Sequence, residues 1–111
     1  MSISLFKLVE ENAFAYVARR LHPEILQLSF GNVSLQMAPR EFNRLQSQIA
    51  NTLNQIIVVR DPYLRDLTVS TSVKNMVFTF SYYELCQINQ VMVNTQTILE
   101  VAEISEHPLS D

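Results

Sequence analysis

The most regular stretch of the chain is Leu26-Gln27-Leu28-Ser29-Phe30-Gly31-Asn32-Val33-Ser34-Leu35-Gln36-Met37, in which apolar side chains recur at every second position on both sides of Gly31-Asn32. Period two is the signature of a strand with one buried face. With Gly31 and Asn32 as a two-residue turn, Phe30 pairs with Val33, Leu28 with Leu35 and Leu26 with Met37, all on one face. Ser29 opposite Ser34 and Gln27 opposite Gln36 then form the outer, exposed face. Glycine and asparagine accept the positive φ that primed hairpin turns require. A slip of one residue would mix the two faces.

A second hairpin is expected over 67–80 with Lys74-Asn75 at its turn, which pairs Val73 with Met76, Thr71 with Phe78 and Val69 with Phe80. Ser70 and Ser72 fall opposite Thr79 and Val77 on the other face. Both hairpins run into helix-start signals. Pro39 suits the first helical position, Glu41 the third, and Met37 with Phe42 a hydrophobic staple. Ser81 and Glu84 form a capping-box pattern flanked by Phe80 and Leu85.

Phe42, Leu45, Ile49, Leu53 and Ile56 recur at three- and four-residue spacing and predict an amphipathic helix over 39–53, with room for one further turn. Leu85, Ile88, Met92, Thr95, Leu99 and Ala102 predict a second over 82–102. Val91 and Ile98 broaden its apolar stripe. Residues 3–9 and 13–18, separated by Glu10-Glu11-Asn12, read as a further hairpin, with 13–17 also compatible with a short helix, and the β-branched run 56–59 as another strand. The expected architecture is α+β, one mainly antiparallel sheet with two helices packed on one face. Residues 1–104 would form one compact domain, and 105–111 a mobile tail.

Sliding the chain on itself by 43 positions lays hairpin on hairpin and helix on helix, with Leu21, Ser29, Asn32, Glu41, Asn51 and Thr52 identical to their counterparts. Repeat units over 13–55 and 56–98, a ββαββα-like duplication, would explain that agreement. Two ordinary hairpin–helix units obeying the same turn and cap chemistry would explain it equally.

Composition narrows the function classes. At 111 residues with 48% apolar side chains, a real core is affordable. With 8 basic and 11 acidic residues, the net charge of −3 argues against a broad polyanion-binding surface. One cysteine leaves no intrachain disulfide and no thiolate cluster for a structural metal. No apolar run is long enough to span a membrane, and residues 1–7 lack the basic start and long apolar stretch of a secretory signal. A soluble cytoplasmic domain without cofactor or metal is the expectation.

No catalytic motif stands out. Cys86, near a helix start, has no histidine at a spacing that would activate it, since His22 falls in a connection and His107 in the expected tail. Glu41 and Glu84 are explained as helix-start carboxylates, and Asp61 and Asp66 as residues organising the turn around Pro62. Arg19, Arg20, Arg40 and Arg44 are the candidate anion-binding residues, with Arg40 and Arg44 four apart on one helix face.

The segment Leu28-Ser29-Phe30-Gly31-Asn32-Val33-Ser34-Leu35, followed by Pro39-Arg40-Glu41-Phe42, resembles part of a family of short uncharacterised bacterial proteins. The resemblance covers 26–49 and implies the hairpin–helix architecture without supplying an activity. Members carry cysteines shortly before this hairpin. Arg19-Arg20-Leu21-His22 has none, so no metal role transfers.

The functional expectation is a non-enzymatic protein-interaction domain acting as a homodimer, with Val91 and Ile98 as a partner-facing stripe. Two alternatives stand beside it. One is a ligand pocket or enzyme site drawing on Arg40, Arg44, Tyr82, Tyr83 and Cys86. The other is nucleic-acid, anion or acidic-peptide binding through the four arginines.

Overall fold

The computed structural model describes residues 5–59, 61–71 and 73–106. Strands β1 (Lys7–Glu11), β2 (Ala15–Arg20), β3 (Ile25–Phe30) and β4 (Val33–Met37) lead into helix α1 (Pro39–Asn54). Strands β5 (Arg65–Ser70) and β6 (Val77–Ser81) lead into α2 (Tyr82–Glu106). The class is α+β, and the strands divide into two sheets rather than the single one expected. One is a four-stranded antiparallel meander ordered β1-β2-β3-β4, the other the β5-β6 pair, and both helices pack against them.

The β3–β4 register is the one its turn chemistry requires, with Phe30 opposite Val33, Leu28 opposite Leu35 and Leu26 opposite Met37. Gly31 alone supplies the positive φ, at 56°, the demand of a turn with glycine first. Phe30 packs among Phe14, Phe78 and Phe80 at ring-centroid distances of 6.2, 5.4 and 5.3 Å, so the tip of one hairpin meets the body of the other. Ser29, expected on an exposed face, is buried at 5%. It lies on a strand flanked on both sides, between Tyr16 and Ser34, and its hydroxyl hydrogen-bonds that of Ser34 at 2.7 Å.

The second hairpin departs from expectation by two residues: Val69 pairs with Phe78 and Leu67 with Phe80. Lys74-Asn75 is not a two-residue turn. Asn75 adopts φ 65°, but the chain closes through Thr71, whose hydroxyl accepts the Val73 N–H at 3.0 Å and donates to the Met76 carbonyl at 2.9 Å. Because a shift of two preserves the faces, Val69 and Phe80 still point inward. Val73 and Met76 leave the ladder and are exposed at 57% and 42%.

At the N-terminal hairpin the turn falls later than expected because Asn12 builds it. Its side-chain oxygen accepts the N–H groups of Phe14 and Ala15, and its amide donates to the Gln87 carbonyl of α2 at 2.8 Å. The part of this hairpin expected over 3–4 lies outside the described residues.

The helix starts follow their caps. Ser81 and Glu84 satisfy each other's backbone N–H at 2.9 and 3.0 Å, whereas Ala38 offers no side chain and only the Glu41 carboxylate reaches back to it at 3.3 Å. The helices face each other through Gln46–Asn89 and Asn43–Gln96 hydrogen bonds. Gln46 and Asn89 are 43 positions apart, so positions equivalent in the internal alignment meet. Helix α2 continues through Glu106, which places Ser105 and Glu106, expected in a tail, in helix; residues 107–111 lie outside the described residues.

Val17, Leu26, Leu28, Phe42 and Ile49 join Val69, Leu85, Ile88 and Met92 in one buried core. Thr95 is fully buried and satisfied by donating to the Val91 carbonyl at 2.7 Å. The run 56–59 belongs to no strand. Its β-branched side chains favour extended backbone, but among the described residues no strand pairs with it.

Candidate interaction site

The residues singled out in the sequence do not gather. Arg19 is paired with Glu24 at 2.8 Å and lines a cleft of about 670 Å³ that also holds Glu100 and Glu103, a net-negative surround. Arg20 places its guanidinium 5.6 Å above the Phe6 ring, with a buried Nε that has no hydrogen-bond partner. Arg40 and Arg44 are exposed on α1, and Arg44 lines a different cleft from Arg19.

Val91, expected to face a partner, is fully enclosed in this chain's own core, while Ile98 is 41% exposed. The correction has a simple cause. Helix α2 packs against β1, β2 and β6 and also against α1, so its inward arc must be wider than one sheet face demands. Val91 lies one turn beyond Gln87, whose carbonyl meets Asn12 of the β1–β2 turn, and so faces the sheet, while Asn89 and Gln96 face α1.

Tyr82 and Cys86 share one face of α2, and the hydrogen bond between them holds the Tyr82 phenol above its ordinary range, with the charge on Cys86 adding to it. Tyr83 instead leans on Tyr63 at 5.6 Å, its N–H donating to the Pro62 carbonyl. None of the three lines either large cleft, so they form no pocket with Arg44. Glu84 is committed to structure. It accepts from Arg65 Nη2 at 2.8 Å and from the Ser81 N–H, and the Arg65 hydrogen bond first of all holds its carboxyl below the usual range. Among the described residues no three His, Cys, Asp or Glu side chains could hold a metal, and no helix is long and apolar enough to cross a membrane.

Two features do combine into a site. The first is the free edge of β4. In a two-residue hairpin the pair flanking the turn exchanges hydrogen bonds, as does every second pair after it. Val33, Leu35 and Met37 therefore bond to β3, while Ser34 and Gln36 direct N–H and C=O outward, where no strand pairs among the described residues. A groove of about 520 Å³ runs along this edge. Its floor is α1 at Arg44, Leu45 and Gln48, and its far wall the second hairpin at Val73, Met76 and Phe78.

The second feature is the connection between α1 and β5. Ile57 is 95% exposed, Val58 73% and Val59 38%, and Tyr63 and Leu64 follow at 72% and 56%. Sequence reasoning found the β-branched run but assigned it to the sheet. Nothing in its residues marked it as unpaired, since the turn at Asp61-Pro62-Tyr63 that leads into β5 follows it as it would follow a strand.

Comparison with known protein families, curated proteins and solved structures finds no match for this chain.

Proposed function

We propose that this chain is a non-enzymatic protein-interaction domain that works as a homodimer. The observation carrying the reading is the 57–64 connection, which holds five large apolar side chains, three of them consecutive and β-branched, in water. Exposed large apolar side chains this closely spaced along a small domain mark a contact site. Its strand-forming, uncharged stretch 54–59 is also an aggregation hazard unless something covers it. The arginines support this reading over anion binding, since Arg19 is neutralised by Glu24 and does not share a cleft with Arg44.

Light scattering coupled to size exclusion tests it. At low micromolar concentration the protein should elute at twice the 12.8 kDa chain mass. Ile57→Asp, on a side chain with almost no contacts in its own chain, should shift it to monomer without changing the thermal unfolding of the monomer. A wild-type chain that stays at 12.8 kDa at high concentration overturns the reading.

A further inference from the structure

The chain holds a strand without an edge and an edge without a strand. The 56–59 run is β-branched, belongs to no strand and exposes the side chains of 57–59, and among the described residues no strand pairs with the outward N–H and C=O groups of Ser34 and Gln36 along a groove partly lined by apolar side chains. We infer that the homodimer closes by reciprocal strand addition, the 56–59 segment of each copy lying along β4 of the other. This inference rests on the homodimer reading and names its contact surface.

The segment of the same copy does not fill the groove, since none of 56–59 lines it. The groove floor is the middle of α1 at Arg44, Leu45 and Gln48, whereas 56–59 follows the C-terminal end of that helix. Gln48, the nearest of the three, lies six residues before Asn54, about 9 Å at 1.5 Å per residue. A two-fold axis that sets the α1 helices of two copies antiparallel brings each segment to the other's groove. The contact is then isologous, each copy giving a strand and receiving one.

The chemistry of the two surfaces matches. Main-chain hydrogen bonds to Ser34 and Gln36 would supply the pairing, and side chains at alternate positions would enter the groove beside Leu35, Met37 and Phe78. Residues 54–59 carry no charge, so pairing strands desolvates none.

The test separates this arrangement from other dimers. Gln36→Pro removes an N–H that points away from β3, so the β3–β4 ladder survives while the edge is blocked. Gln36→Pro and Ile57→Asp should each run as monomers, and mixing them should restore a dimer at higher concentration. That mixed dimer keeps one of two contacts, from the intact segment of one chain and the intact edge of the other, and should bind at least about tenfold more weakly than wild type. Amide exchange gives a readout independent of whether Gln36→Pro folds. The Ser34 and Gln36 amides should be protected in the wild-type dimer and exchange freely in Ile57→Asp. A dimer that survives Gln36→Pro but not Ile57→Asp, or equal exchange of those two amides in both proteins, overturns strand addition and leaves the homodimer reading intact. A monomeric wild type overturns both.

Discussion

Truncating Phe30 to alanine probes the point where the two halves of the fold meet. Phe30 is 8% exposed and touches three other rings, two of them edge-on at 5.4 and 5.3 Å. Removing the ring takes away roughly 100–120 Å² of buried apolar surface, about 3 kcal/mol at 25–30 cal/mol per Å². Lost edge-to-face contacts and the residual cavity raise this to about 3–5 kcal/mol. A domain of this size has on the order of 5–15 kcal/mol in total, so the loss is a large share. The chain has no tryptophan, so urea unfolding is best followed by far-ultraviolet circular dichroism. With a slope of about 1–2 kcal/mol per molar urea, the midpoint should fall by roughly 1.5–5 M at unchanged slope. Ser29→Thr keeps the hydroxyl that meets Ser34 and adds one methyl beside it, at a cost of about 1 kcal/mol or less. Equal losses from the two substitutions, or a Phe30→Ala loss below about 1 kcal/mol, would refute the aromatic junction as the link between the hairpins.

Glu84→Ala should destabilise by about 1–2 kcal/mol at neutral pH through loss of the reciprocal cap with Ser81. Because Arg65 above all holds the folded Glu84 carboxyl below its ordinary 4.5, its contribution is present above that value and is lost as pH falls through the lower folded one; the gap between wild type and Glu84→Ala, measured by urea titration at a series of pH values, should narrow only there. Gly31→Ala should cost about 1–2 kcal/mol by thermal unfolding, all of it backbone strain at φ 56°, because an added Cβ meets nothing within 4 Å. Val91→Ala should cost about 2–3 kcal/mol independently of protein concentration, as a core residue must, whereas Ile98→Ala, on a side chain 41% exposed, should cost under about 1 kcal/mol in the same urea assay.

What the sequence determined by itself is what short-range chemistry decides. Gly31 before Asn32, between alternating apolar residues, leaves one sterically cheap turn and one register that buries Leu26, Leu28 and Phe30 together, and that register is present. The Ser81–Glu84 box set the start of α2 in the same way, by pairing two backbone donors that have no other acceptor. Only the tertiary structure decided the rest. The second hairpin lacked a glycine to pin its turn, so packing against Phe30 and the Thr71 hydrogen bonds selected a register two residues away that periodicity could not distinguish from the expected one. The apolar breadth of α2 was legible, but whether Val91 faced a partner or the chain itself depended on the β1–β2 hairpin lying against that side of the helix. The candidate site was half legible for the same reason. The β-branched character of 56–59 is written in its residues, while its lack of an edge, and the lack of a strand beside Ser34 and Gln36 among the described residues, are properties of which elements the fold brings together.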